Sequence, residues 1–354
     1  MAQIDLAAFR VAEAAGLLTC RPHPTLDLVI WNYTPRCQFE GTWNEVTMQA
    51  RGLVTQLDGT IVARPFHKFF GPEQTEQYVG PLPDEPFEVT EKVDGSLGIC
   101  FYHQDQWIVA TRGSFISEQA LHAQTLFDQY IKQRNGMPSP EYTYLYEIVY
   151  KANRIVVDYG DIDELVLLAI IHTETGMERH EREYRDSPFR VAKRYSSIRN
   201  AAELARLITE HDGQNEEGFV VRYRSGLRVK YKLAEYTRLH YLLTGITSRT
   251  IWEYLSTNQP LSLLLEHVPD EFYRWVTKTV ERLQEQCRAI KSVAQSIYDH
   301  LDQSLGRKEI AALVVQGQYP HIVFALLDHK PYQHMIWKMI KPQAEKPFRE
   351  DEEG

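Results

Sequence analysis

Cysteine is scarce in this chain of 354 residues, and Cys20, Cys37, Cys100 and Cys287 stand far apart. No Cys-x-x-Cys pair exists for zinc or redox work, and four dispersed thiols cannot staple a chain this long, so reduced thiols are expected. The thirteen histidines contain no H-E-x-x-H or similar ligand spacing, which gives no reason to expect a structural metal. Residues 1–19 lack the basic start and long apolar core of a signal peptide, and no apolar run reaches membrane-spanning length. A cytoplasmic protein with no membrane partner is expected. Positive charge is also in short supply: the formal net charge is -9 and the pI ≈ 5.8. The surface as a whole does not attract polyanions, so any nucleic-acid contact has to use local basic patches. What is present, 43% apolar and 25% charged residues, suffices for a sizeable core and two domains.

From Leu26 to about Lys232 short β-like runs alternate with turn residues. They cover Leu26–Tyr33, Thr47–Gln56, Ile61–Pro65, Phe87–Lys92, Leu97–Tyr102, Trp107–Thr111, Thr143–Val149, Ile155–Tyr159, Leu165–Thr173, Gly218–Tyr223 and Leu227–Tyr231. Helical patterns over Ser117–Lys132, Pro188–Tyr195 and Ile198–Glu210 interrupt them. After Lys232 the texture changes. Phe272, Val276, Val280, Leu283, Cys287, Ile290, Ala294, Ile297 and Leu301 recur at spacings of three and four, which predicts one amphipathic helix from about Asp270 to near Gly306. Shorter helices are expected at Arg307–Val315, Pro320–Asp328 and Tyr332–Ile340. The fold class is thus α+β: a domain of twisted antiparallel sheets over 1–245, an all-α domain over 246–342, and a disordered acidic tail over 343–354.

The chemistry concentrates around Lys92, in Glu91-Lys92-Val93-Asp94-Gly95-Ser96. K-x-D-G followed by Ser is how covalent nucleotidyltransferases present the lysine that becomes nucleotidylated, although Asp-Gly is also a common hairpin turn. A lysine amine attacks only when unprotonated, which requires nearby cations or burial. Lys230 and Lys232 alternate on one strand, so their side chains share a face and could approach a phosphate and Lys92 together. A lone K-x-K is equally the pattern of a solvated edge strand. Glu147 breaks an apolar strand and Glu217 enters another just before Gly218, so both are candidate metal or ribose contacts or, alternatively, strand-end charges. Arg51, Arg64, Lys68 and Arg112 lie beside glycine or proline turns, a setting that suits phosphate, and Phe70 adds an aromatic surface next to Lys68.

In order and identity these segments resemble the RNA ligase 1 family of phage-type ATP-dependent RNA ligases, within the covalent nucleotidyltransferase superfamily. Lys92-Val93-Asp94-Gly95 looks like motif I, Thr111-Arg112-Gly113-Ser114 like motif Ia, Tyr146-Glu147-Ile148 with Asn153 to Val157 like motif III, Glu217-Gly218-Phe219-Val220 like motif IV, and Val229-Lys230-Tyr231-Lys232 like motif V. Arg51-Gly52 and the run Arg64 to Phe70 are similar to the family's N-terminal signatures. The resemblance implies a nucleotidyltransferase domain, described as ATP-grasp-like, and a set of roles. Lys92 would carry AMP, Asp94 would assist sealing, and Glu217 with Glu147 would serve the divalent metal, Mg2+ or Mn2+. Arg51, Lys68, Phe70, Glu91, Arg112, Glu147, Lys230, Lys232 and Tyr236 would line the ATP site. Arg112 stands where the family often has lysine, which replaces a point charge by a bidentate fork.

The implied reaction joins RNA 5′-phosphate and 3′-hydroxyl ends through lysyl-AMP and RNA-adenylate, with nicked tRNA as one candidate partner in RNA repair. The rivals are a DNA ligase, a capping-type enzyme, and a catalytically inactive RNA-binding protein. The first two usually append a β-rich barrel after motif V, where this chain turns helical. An inactive binding module has no need of Lys92, Glu147, Glu217, Lys230 and Lys232 together.

Overall fold

A computed structural model describes residues 2–133, 138–180, 184, 187, 189–211, 215–265, 270–302 and 304–345. The chain divides into two compact units, Met1–Thr237 and Arg238–Gly354.

The first unit is built on three antiparallel sheets. Strands β1 (Leu18–Pro22), β2 (Leu28–Tyr33), β3 (Arg51–Gln56) and β4 (Ile61–Ala63) form one in chain order. In the second, β6 (Ser96–His103) lies between β7 (Gln106–Thr111) and β8 (Tyr142–Val149), and β9 (Glu164–His172) closes the far edge. The third sets β10 (Gly218–Tyr223) between β5 (Phe87–Glu91) and β11 (Arg228–Lys232).

The first two sheets share a core in which Leu28, Ile30 and Val54 meet Ile99, Phe101, Leu145 and Ala169. Alternation decides which side chains go there, because residues two apart point to one face. The opposite face of the four-stranded sheet β7-β6-β8-β9 is covered by α5 (Glu118–Gln133), through Ala123, Leu126 and Phe127. The outer face of the first sheet is covered by α1 (Leu6–Ala14), whose Phe9 stands edge-on to Trp31 at 5.2 Å. Three more short helices, α2 (Pro35–Glu40), α3 (Glu45–Gln49) and α4 (Pro72–Tyr78), and α6 (Ala201–Glu210) complete the unit, and α7 (Ala234–Gly245) follows β11.

The second unit is all-helical among its described residues: α8 (Ser248–Ser256), α9 (Ser262–Leu265), α10 (Asp270–Asp299), α11 (Arg307–Gln316), α12 (Pro320–Leu327) and α13 (Gln333–Met339). Ile290 and Ala294 of α10 pack with Val314, Ile322, Val323 and Ile336, the residues that the helical periodicity marks as apolar. No helix of the described residues is long and apolar enough to cross a membrane.

Four sequence expectations are corrected. The run Thr47–Gln56 is a strand only from Arg51, because Asn44 caps α3 through a reciprocal bond with Thr47. Ile155–Tyr159 joins no sheet; its amides are taken by a side chain described below. The described part of Pro188–Tyr195 is extended, with Val191 and Arg194 bridging β9 and β5. The long helix stops at Asp299, short of Gly306. Of the expected acidic tail, Gln343 and Glu345 are hydrogen-bonded to Ser248, and residues 346–354 lie outside the described residues.

Candidate active site

Strand register, not sequence proximity, assembles the centre of the site. Antiparallel pairing sets Glu91 opposite Phe219 and Gly218 opposite Lys232, and the Lys92 amide donates to the Gly218 carbonyl at 2.8 Å. Lys92, Gly218 and Lys232 therefore form one row across β5, β10 and β11, with Glu217 beside it. The Glu217 carboxylate takes both lysines, Lys92 Nζ at 2.5 Å from Oε2 and Lys232 Nζ at 3.1 Å from Oε1. Glu217 is 3% exposed, whereas the side chains of Lys92 and Lys232 keep 21% and 33%. A carboxylate buried this deeply needs partners, and the two ammonium groups supply them. Glycine is required next to it: Gly218 has φ +143°, and a Cβ there would overlap the Tyr231 carbonyl.

Lys230 lies two residues before Lys232 on the same strand face. Burial, and then the charges of Lys68, Lys232, Lys92 and Arg51, pull its ammonium down to about 7. Glu147, opposite Leu97 in the second sheet, shows the converse. Burial pushes its carboxyl up to about 8; Glu217 and Asp94 add to that, and Lys92 and Arg51 oppose it. At neutral pH Glu147 is therefore mostly protonated and Lys230 is poised at half charge.

A second cluster surrounds the hydroxyl of Tyr33. Arg112 Nη1 donates to it at 2.9 Å and Lys68 Nζ at 3.5 Å. Burial alone would raise this phenol, but Arg112, Lys68 and Arg51 together bring it below its ordinary value. Lys68 Nζ is enclosed by the rings of Trp43 at 4.9 Å, Tyr33 at 5.0 Å and Phe70 at 5.4 Å, and desolvation lowers its ammonium. Arg51 is half-buried, and its Nη1, itself buried, lacks a hydrogen-bond partner. A buried donor without an acceptor, among cations that repel one another, is what an anionic ligand would satisfy.

Asp94 is enclosed by hydrogen-bond donors. It is 4% exposed. Oδ2 accepts from the amides of Val156 and Val157 at 2.9 Å each, and Oδ1 accepts from the Tyr236 hydroxyl at 2.8 Å. The Asp94 amide donates to the Tyr159 hydroxyl at 2.9 Å. These bonds fasten the Lys92 loop to residues 156–159 and to α7, and they explain why 155–159 does not join a sheet. Gly95 allows the crossing: a Cβ there would lie 2.5 Å from the Ile148 carbonyl and 3.1 Å from Glu147 Cγ.

Of the expected residues, Lys92, Glu217, Lys232, Lys230 and Glu147 come together, as do Arg51, Lys68 and Arg112. Phe70 is fully buried between Trp43 and Tyr78, so it supports Lys68 and presents no open ring. The Glu91 carboxylate is bound by the Lys193 amide at 2.7 Å and by Arg190 at 3.3 Å, on the strand face opposite Lys92. Arg64 binds backbone carbonyls of Thr173 and Glu174 elsewhere. Tyr33, Trp43 and Tyr159 were missed. Each reads as an ordinary aromatic, and no spacing ties it to Lys68 or Asp94. Among the described residues no three His, Cys, Asp or Glu side chains converge into a metal cage. Two carboxylates near Lys92 do fit magnesium arriving on nucleotide phosphates, which takes one or two protein carboxylates.

The chain is similar to several known proteins. A protein of Thermovibrio ammonificans, named by inference as an RNA ligase, is 24% identical over 76% of this chain and 73% of its own length. A protein of Autographa californica nuclear polyhedrosis virus, named by inference as a bifunctional polynucleotide kinase/RNA ligase, is 26% identical over 60% of this chain, which spans only 33% of that relative. Among solved structures, an archaeal ATP-dependent RNA ligase is 14% identical over 80% of this chain and 79% of its own, with a TM-score of 0.48. An Aquifex aeolicus protein named by inference as an ATP-dependent DNA ligase is 13% identical over 78% and 71%, also with a TM-score of 0.48. The T4 RNA ligase 1-type family model for RNA ligases matches residues 49–236, from the end of α3 to the tyrosine that holds Asp94. The chain belongs to this family of RNA ligases.

Proposed function

We propose that this RNA ligase is ATP-dependent and that Lys92 is its nucleophile. The observation that supports this reading best is the row of Lys92 and Lys232 on Glu217, set among the charges of Lys230, Lys68 and Arg51. In the first step the Lys92 amine, freed of its proton, attacks the α-phosphorus of ATP. A P–N bond forms, the bond to the bridging oxygen of the β-phosphate breaks, and pyrophosphate leaves. Arg51, Lys68, Arg112, Lys230 and Lys232 supply fixed positive charge to the phosphates, which stabilises charge that develops in the transition state. In the second step an RNA 5′-phosphate oxygen takes the adenylate from Lys92. In the third an RNA 3′-hydroxyl attacks that phosphate and AMP departs.

Glu217, and Glu147 once it has given up its proton, are the side chains that would hold a divalent metal, magnesium or manganese, which when bound neutralises charge on the transferring phosphate. For Glu217 to take up this role, Lys92 has to leave its carboxylate, so the ion pair resets as the nucleotide enters. Asp94, with Tyr236 and Tyr159, positions the Lys92 loop and does not touch substrate.

The helical domain expected over residues 246–342 is proposed to select the RNA, with a nicked tRNA as the structured substrate of choice. The test of the chemistry is incubation with radiolabelled ATP and magnesium in the absence of RNA. A covalent AMP adduct is expected on the wild type and none on Lys92→Ala; equal labelling of both, or preference for GTP, overturns the assignment.

A further inference from the structure

A cleft of ≈ 510 Å³ opens in the first unit on the other side of the segment that carries Lys68. Its walls hold four cations, Arg64, Lys68, Arg222 and Arg228, and one carboxylate, Glu178. In a protein with a net charge of -9 this is a local reversal of sign. Glu178 and Glu88 offset two of these charges, at Arg222 and Arg228: Glu178 Oε2 is shared between Arg228, which is hydrogen-bonded to it, and Arg222 Nε at 3.3 Å, and Glu88 Oε2 lies 3.6 Å from Arg222 Nη1. Arg64 has no carboxylate partner among the described residues. Its Nε donates to the Thr173 carbonyl at 3.0 Å and Nη2 to the Glu174 carbonyl at 3.3 Å. Backbone carbonyls fix the guanidinium in place and leave its charge unneutralised, with N–H donors to spare.

Flat surfaces accompany the charges. Phe66 and Phe69 stand nearly perpendicular, 85° apart, with centroids 6.2 Å apart, and Arg228 lies 4.1 Å from the Phe66 ring. Positive charge tracked by aromatic faces is the composition of a single-stranded nucleic-acid groove. Two of the lining residues also belong to the cluster around Tyr33 and Arg51. Lys68 lines it while its ammonium reaches Tyr33, and Phe69 lines it while its ring carries Arg51 at 5.3 Å.

We propose that this cleft holds a backbone phosphate of the RNA strand whose end is being adenylated, with Arg64 as its principal contact. This rests on the ligase reading above. The same phosphoanion chemistry could come from pyrophosphate or from the tail of ATP, so the experiment separates these sources.

Binding of a fluorescent single-stranded RNA with a 5′-hydroxyl, which cannot react, is measured by anisotropy over a range of salt, with and without pyrophosphate as competitor. Arg64→Gln is expected to weaken RNA binding about tenfold and to reduce the salt slope by about 0.7, the value for one lost phosphate contact on a single strand. Arg64→Lys should restore the slope. Thr175→Glu, at an exposed position of the cleft wall, adds a negative charge without touching the carbonyls that hold Arg64. It should weaken RNA binding at least as much while AMP-adduct formation proceeds at the wild-type rate. Unchanged RNA affinity and slope in folded Arg64→Gln and Thr175→Glu overturn the proposal. Full displacement of the RNA by pyrophosphate at its own binding concentration also overturns it, since the cleft would then be a pyrophosphate pocket. A wild type that forms no adduct defeats the ligase reading, yet the binding arm still decides the cleft.

Discussion

Binding of ATP should carry a proton into the site, and Lys230 should be the group that takes it. Lys230 titrates at about 7 because burial and four neighbouring cations disfavour its charge. At pH 8 it is therefore about nine-tenths neutral. A triphosphate beside it supplies the opposite charge, which returns the ammonium toward its ordinary value of about 10.4 and makes it fully protonated at pH 8. The expected uptake is close to one proton per ATP, and ATP affinity should fall by up to about tenfold for each pH unit between about 7 and 10. Titration calorimetry in HEPES and in Tris at pH 8, with EDTA to prevent transfer, measures the uptake from the difference in apparent enthalpy. Lys230→Met should abolish most of it, leaving only a smaller contribution from Lys68, whose ammonium is also lowered by desolvation. Glu147→Gln separates any proton that the Glu147 carboxyl releases. Equal buffer dependence in the wild type and Lys230→Met would refute the reasoning, because the cluster would then not be what holds Lys230 neutral.

Glu147, raised to about 8, binds its proton more tightly in the folded chain than in the unfolded one. Stability should thus decline as pH rises from about 4.5 to 8, and Glu147→Gln should flatten that decline in thermal melts. Asp94→Asn should cost about 2–4 kcal/mol in denaturant unfolding, since its amide nitrogen would face the Val156 and Val157 amides or Tyr236. Tyr236→Phe should cost about 1–3 kcal/mol by leaving Oδ1 unpaired; an unchanged midpoint in either would count against a positioning role. Glu217→Ala frees Lys92 but removes the carboxylate proposed for metal, so ATP binding should survive while adduct formation falls at least about a hundredfold. A wild-type rate in that variant would reduce Glu217 to a structural charge. A chain ending at Gly245 should still form the adduct and lose its preference for nicked tRNA over an unstructured oligonucleotide, read by competitive sealing.

Much of this protein is local, and that part was readable from residues alone. Alternation placed most strands, and three-to-four spacing placed α10, because burial of one face follows the chain's own period. The type and order of Lys92, Glu147, Glu217, Lys230 and Lys232 pointed to nucleotidyl transfer, since few reactions need that combination. Sequence could not say that Glu217 would sit between two lysines, which depends on the register of β5, β10 and β11. Nor could it show how Asp94 is held: the resemblance implies that Asp94 assists sealing, and only the tertiary structure brings two amides, from residues that read as a strand, to its carboxylate. Phe70 and Tyr33 exchanged significance for the same reason. An aromatic's role depends on which face remains open, and that is settled by neighbours far away in the chain, as Trp43 and Tyr78 bury Phe70 while Arg112 and Lys68 converge on the Tyr33 hydroxyl.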